Sequence, residues 1–204
     1  MKKRIILASG SPRRKDILTL LGLSFTVIPS DADESETEPL SPAEIVCDLS
    51  RRKAEEVRNR LLAAGEDLSD TMIIGCDTVV VYDKHIIGKP ADENEARLTL
   101  TLLSDSYHDV YSGLTILTPE KTVCASEVTH LKTVPMLPEE IDAYIKMGEP
   151  FGKAGSYGIQ GIGCTFIEKL DGDFYNVVGF PVTLFCRLLK EEFNTSVFEL
   201  GGKI

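Results

Sequence analysis

Residues 72–82 are strongly β-forming in composition, and the run from Ile73 to Val81 is interrupted by a single charge, Asp77. The neighbours of Asp77 are apolar or small at both parities, so this strand shows no solvent face. A buried carboxylate is rarely tolerated without a partner, and a metal ion or a nearby cation would account for it. The competing reading is an outward-facing carboxylate on an edge strand.

The N-terminus supplies the layer such a strand needs. Arg4 to Ala8 reads as a short buried strand, Ser9-Gly10 breaks it, and Ser11-Pro12 offers an N-cap with proline at the first helical position. A helix follows to about Leu21, with Gly22 at its left-handed C-cap, and then a strand over 25–28. Strand, turn, helix, strand predicts an α/β layer.

Ser41-Pro42-Ala43-Glu44 fits a capping box that opens a long helix to about Leu62. Its apolar stripe runs through Val46, Leu49 and Val57, and Lys53 falls on that stripe. Lys53 is therefore either a charge aimed at something inside or a side chain snorkelling at the rim of the core. Further on, Asp83-Lys84 turns the long strand back into 85–87. A helix over 92–104 is expected to face inward through Leu98 and Leu102. Strands over 110–117 and 123–134 flank a turn at 118–121, and a short helix covers 139–147. Strands near 165–168 and 176–178 flank the turn Asp171-Gly172-Asp173, and Pro181 opens a last helix to about Glu192. No repeat or linker divides the chain, so residues 1–204 are expected to form one domain.

A formal net charge of -10 argues against nucleic acid or an anionic membrane surface as a partner, so any anionic ligand has to be caught locally. Arg13, Arg14 and Lys15 form one basic cluster, and Arg51, Arg52 and Lys53 another. Such clusters often mark a solvated helix face. Ser9-Gly10-Ser11-Pro12-Arg13-Arg14, however, opens a helix, where backbone N–H groups and the positive dipole end favour an anion and two arginines would otherwise be disfavoured. The later Gly-Lys-Ser/Thr of a Walker loop is absent. Glu34 lies in an acidic loop with Asp31, Asp33, Glu36 and Glu38, and alone reads as solvated. Lys89 in Gly88-Lys89-Pro90 follows the hairpin after Asp77. Gln160 sits in the glycine-rich stretch 152–163, which either admits a flat ligand or simply turns.

Five cysteines without a CxxC or Cys/His cluster read as reduced thiols, and the three histidines lack metal-ligand spacing. The apolar run after Lys2-Lys3-Arg4 is too short for a signal peptide, and no stretch approaches the roughly 20 apolar residues of a membrane span. A cytoplasmic protein is expected.

Taken together and in order, Ser9-Gly10-Ser11-Pro12-Arg13-Arg14, Gly75-Cys76-Asp77-Thr78, Gly88-Lys89-Pro90, the segment from Lys153 to Gly161 and Asn176-Val177-Val178-Gly179-Phe180-Pro181 resemble the Maf family of nucleotide pyrophosphatases. The resemblance implies an inosine triphosphate pyrophosphatase-like α/β fold, with an elongated mixed sheet flanked by helices and two lobes around a central cleft. It implies hydrolysis of a nucleoside triphosphate to the monophosphate and pyrophosphate with Mg²⁺ or Mn²⁺, commonly by a homodimer. Asp77 resembles the proton acceptor and Glu34 a polar member of the cleft, and the two carboxylates are expected to bind the metal. Arg13, Thr78 and Gln160 resemble positions linked to base selection, while Ser9, Arg14, Lys53 and Lys89 resemble the other polar substrate-binding positions. The segment around Gln160 resembles the branch acting on dTTP and UTP. Two other roles are open: a regulator of septum formation acting through a protein partner, also associated with this family, and a nucleotide sensor without turnover.

Overall fold

A computed structural model describes residues 3–35 and 40–201. Its strands are β1 (Arg4–Leu7), β2 (Phe25–Val27), β3 (Thr71–Tyr82), β4 (His85–Ile87), β5 (Tyr107–Leu117), β6 (Thr122–Thr133) and β7 (Ile167–Asp171). Its helices are α1 (Pro12–Leu20), α2 (Pro42–Ala63), α3 (Glu93–Leu103), α4 (Pro138–Lys146), α5 (Phe174–Val178) and α6 (Val182–Phe193). Among the described residues the strands make one seven-stranded mixed sheet in the order β2-β1-β3-β5-β6-β7, with β4 also on β3. β1 runs parallel to both β2 and β3, pairing Ile5 with Phe25 and with Met72, as a strand-helix-strand layer requires. β4 is antiparallel to β3, joined by Asp83 and Lys84, both at positive φ (45° and 66°), the conformation of a primed hairpin turn.

The chain divides into two compact units, residues 1–77, 112–127 and 179–204 in the first, and 78–111 and 128–178 in the second. The first has a core of Ile6, Ala8, Ala54, Val57, Leu61, Ile73 and Leu117. The second packs Ala96, Leu100 and Leu103 of α3 against Ile141, Tyr144 and Ile145 of α4 and against Phe166.

α2 is held unusually close to the sheet. A Cβ placed on Gly75 of β3 would meet Ser50 O at 2.1 Å, and one on Gly113 of β5 would meet Val46 O at 2.0 Å. Only residues without a side chain allow a helix backbone so near a strand. The predicted capping box is present: Glu44 N donates to Ser41 Oγ while Ser41 N donates to Glu44 Oε2 at 2.8 Å. Val46, Leu49 and Val57 are buried as the stripe predicts.

Two expectations fail. Leu98 and Leu102 point outward, 70% and 50% exposed, while Ala96, Leu100 and Leu103 face the core. Leucines at 98, 100, 102 and 103 allow two helical faces, and the small Ala96 selects the second by letting α3 approach. Residues 176–178 belong to α5 rather than to a strand, because Asp173 nucleates a turn: its Oδ1 accepts from Tyr175 N at 2.8 Å and its carbonyl from Asn176 N at 3.1 Å. No helix among the described residues is long and apolar enough to cross a membrane.

Candidate active site

In the first unit, the close approach of α2 to β3 at Ser50 and Gly75 carries Lys53 and Asp77, further along the same two elements, into contact. Lys53 Nζ lies 2.5 Å from Asp77 Oδ1 and 2.9 Å from Glu34 Oε1. The side chains of Lys53 and Asp77 are both 11% exposed, whereas that of Glu34 is 59% exposed. The edge-strand reading of Asp77 is thereby excluded, since β3 lies between β1 and β5 and Asp77 is buried against a cation. Two carboxylates thus converge on one positive charge at the inner end of a site whose outer carboxylate stays in water.

The acidic loop is brought there by α2. Arg52 Nη1 donates to Ser35 O at 2.9 Å, and Arg60 donates to Asp31 Oδ2 at 2.8 Å and to Pro29 O at 2.6 Å. Glu34 is held between those anchors. Glu36 and Glu38 lie outside the described residues.

The turn between β1 and α1 is organised by Ser9. Its Oγ accepts from Ser11 N at 3.2 Å and from Arg14 Nη1 at 3.1 Å, which leaves the hydroxyl hydrogen to donate elsewhere. Arg14 Nε donates to Gly179 O at 2.9 Å, and the buried Cys76 thiol reaches the same carbonyl at 3.4 Å. Gly179, at φ 120°, adopts a backbone that favours glycine and aims its carbonyl at Arg14. Ser11 occupies the N-cap as predicted, but its side chain makes no cap bond, and no acidic residue occupies the first turn of α1. Burial, and after it the adjacent Arg14 charge, holds the Arg13 guanidinium below its ordinary pKa. An arginine still charged in that setting gains from an anion more than a solvated one would.

In the second unit, Thr78 follows Asp77 along β3 and is half-buried, while Lys89 and Gln160 are exposed. Gly155 N donates to Gly88 O at 3.2 Å, so the glycine-rich segment and the Gly88-Lys89-Pro90 turn are neighbours. The loop carrying Gln160 is clamped by one carboxylate that no sequence pattern singled out. Glu149 Oε1 accepts from Tyr144 Oη at 3.0 Å and Gly163 N at 3.1 Å, and Oε2 from Ile162 N at 3.0 Å. Tyr144 Oη in turn accepts from Gly158 N at 3.0 Å. A Cβ on Gly161 would come within 2.3 Å of Glu149 Oε1, which explains the glycine beside the clamp. Buried His108 completes the support, its Nε2 lying 2.8 Å from Tyr157 Oη. Its Nδ1 is buried without a partner, and burial lowers its pKa to about 4.

The predicted residues therefore fall into two groups. Ser9, Arg13, Arg14, Glu34, Lys53 and Asp77 belong to the first unit, and Thr78, Lys89 and Gln160 to the second. Sequence reasoning named Arg52 only within a basic cluster and Gly75 and Gly179 only within motifs, without their contacts, and it missed Glu149.

The profile of the Maf-like protein family matches residues 4–192. The dTTP/UTP pyrophosphatase of Bacillus cereus (strain ATCC 10987 / NRS 248) is 45% identical over 195 residues, covering 96% of this chain and 92% of that protein. The dTTP/UTP pyrophosphatase of Bacillus anthracis (strain CDC 684 / NRRL 3495) is 44% identical over 195 residues, covering 96% and 98%. Among solved structures, the Staphylococcus aureus Ham1 protein aligns at 12% identity over 65% of this chain and 72% of that one, with a TM-score of 0.38, too low to add to the comparison.

Proposed function

We propose that this chain, which belongs to the Maf family, is a hydrolase that cleaves dTTP and UTP between the α and β phosphates to give the nucleoside monophosphate and pyrophosphate. The observation that carries the reading is the meeting of Asp77 and Glu34 on the Lys53 ammonium. A carboxylate buried in an apolar strand, with a second one at the surface and a cation between them, is a costly arrangement that suits moving a proton beside a polyanion. That the B. cereus and B. anthracis relatives are dTTP/UTP pyrophosphatases supports the same substrate class.

The donor set fits a divalent cation. Among the described residues no group of three or more His, Cys, Asp or Glu side chains could hold a metal alone. Mg²⁺ needs fewer, because it binds through one or two carboxylates while phosphate oxygens and waters complete its octahedron. Asp77 and Glu34 would be those carboxylates, and Mn²⁺ would suit the same oxygens. When bound, such an ion polarises phosphoryl oxygens and lowers the pKa of a coordinated water.

Asp77 orients the attacking water and accepts its proton, a role worth roughly 10²–10⁴-fold in rate. Arg13, Arg14 and Lys89 bind the triphosphate and offset the charge of the departing pyrophosphate, and the Ser9 hydroxyl donates to a phosphate oxygen. Lys53 pairs with Asp77 and takes a phosphate contact as substrate enters. Gln160, whose amide both donates and accepts, reads the carbonyl and N–H edge of uracil or thymine, with Arg13 and Thr78 contributing to base selection. A homodimer, a cytoplasmic location and the absence of a nucleic-acid partner belong to the same proposal, the last supported by the net charge of -10.

Incubating the protein with dTTP, UTP, dATP and GTP in Mg²⁺ or Mn²⁺, and identifying the phosphate products, tests the proposal. Pyrophosphate with monophosphate, formed preferentially from the pyrimidines, is the expected result. Orthophosphate with diphosphate would overturn the reaction, and equal rates across the panel would overturn the role of Gln160.

A further inference from the structure

Away from Asp77, the first unit holds an open pocket of about 380 Å³ between α2 and β6, and two thiols, Cys47 and Cys124, line it together with Arg51 and Arg52, both ion-paired with Asp48, and Glu44. The two cysteines are neighbours, since the Cys124 thiol donates to the Cys47 carbonyl oxygen at 3.3 Å. Ser50 Oγ donates to Cys47 O at 2.9 Å and lies 3.6 Å from Cys124 Sγ and 2.8 Å from Thr115 Oγ1, so one hydroxyl links both cysteines. Both cysteines are half-buried, open enough for a small reagent entering through the cavity.

The pair is asymmetric. Its interaction with Cys47, and beyond it Thr115, Ser50 and the Arg51 charge, draw the Cys124 thiol below its ordinary range despite its burial. Cys47 is pushed the other way, first by that same interaction and then by burial. Of the two, Cys124 gives up its proton more readily, which suits a reacting cysteine with Cys47 to resolve it.

We propose that this cavity is a peroxide-modification site in which Cys124 is the reacting sulfur and Cys47 the resolving one, ending in a Cys47–Cys124 disulfide. The Cys124 thiolate attacks one oxygen of hydrogen peroxide. A sulfur–oxygen bond forms, the oxygen–oxygen bond breaks, and hydroxide leaves, taking a proton to become water. The Cys47 sulfur then displaces the hydroxyl from the Cys124 sulfenic acid, and its own proton departs with that hydroxyl as a second water. Two thiols are oxidised by two electrons in total, and one peroxide is reduced to two waters. The disulfide ties α2, the helix that presents Lys53, to β6.

The test uses the reduced full chain, treated with equimolar hydrogen peroxide, quenched with N-ethylmaleimide and digested without reductant. Mass spectrometry is expected to find a Cys47–Cys124 linked peptide as the main disulfide, lost on adding dithiothreitol. Cys47→Ser should stop the reaction at a Cys124 sulfenic acid that dimedone traps, and Cys124→Ser should leave Cys47 unoxidised. Faster oxidation of the exposed Cys164 than of Cys124, or a linked peptide appearing only in urea, would overturn the proposal.

Discussion

The Lys53 cluster and the glycine-rich loop both present polar groups, but they are built in opposite ways. In the first, three charged side chains meet because a helix and a strand touch through their backbones at Ser50 and Gly75. In the second, the backbone itself is the polar surface, and a single carboxylate, Glu149, collects the N–H groups of Ile162 and Gly163 with the Tyr144 hydroxyl. Lys53 and Asp77 of the first stand on regular elements, and Glu34 joins them from a loop. The second is ordered only as long as its clamp is intact.

The largest effect should follow from Asp77→Asn, which keeps the shape of the side chain but cannot take a proton. Turnover should fall by roughly 10²–10⁴-fold at saturating Mg²⁺, with the circular dichroism spectrum unchanged. Near-normal turnover would remove Asp77 from the chemistry. Gly75→Ala comes next, since its Cβ would meet Ser50 O at 2.1 Å and the backbone there has no side chain to move aside. Urea denaturation should show a loss of about 3 kcal/mol, and a neutral result would mean that α2 does not owe its position to that contact.

The second region should respond to acid. Burial keeps the folded pKa of His108 at about 4 against an ordinary value of 6.5. Above 6.5 both states are neutral and nothing is at stake, but as pH falls from 6.5 towards 4 the unfolded chain takes the proton first. The native state should therefore lose about 2 kcal/mol between pH 7.5 and 5 through this group. His108→Gln should flatten that part of the pH–stability curve, and an unchanged slope would contradict the assignment. Glu149→Gln replaces one acceptor oxygen with an amide that can only donate, against N–H groups that also donate. Native-state hydrogen exchange should find the Ile162 and Gly163 amides less protected by about 2 kcal/mol, with the β3 amides unaffected. The smallest change is Leu98→Lys on the outer face of α3, expected to alter stability by no more than about 0.5 kcal/mol.

The same contrast explains what the sequence disclosed. Lys53 and Asp77 were legible because each breaks an apolar pattern, and a charge in the wrong place asks for a partner. The Ser41–Glu44 capping box was legible because the bond is local. Glu149 was not, because its partners depend on how a loop folds back on α4, and no periodicity encodes that path. Gly75, Gly113 and Gly179 showed themselves as glycines but not as contact points. The face of α3 was misjudged because four leucines satisfy two stripes, and Ala96 decides between them only once α4 is in place. The helix at 174–178 was missed for a similar reason. Its composition favours a strand, while the Asp173 turn and the bond from the buried Asn176 amide to Val110 O at 2.9 Å hold it helical.

In the proposed reaction this chain directs water at the α phosphorus of a pyrimidine triphosphate. Hydrolysis of UTP in H₂¹⁸O, followed by mass spectrometry of both products, tests it most directly. The label is expected in UMP and not in pyrophosphate; label in pyrophosphate or in orthophosphate would contradict attack at the α phosphorus.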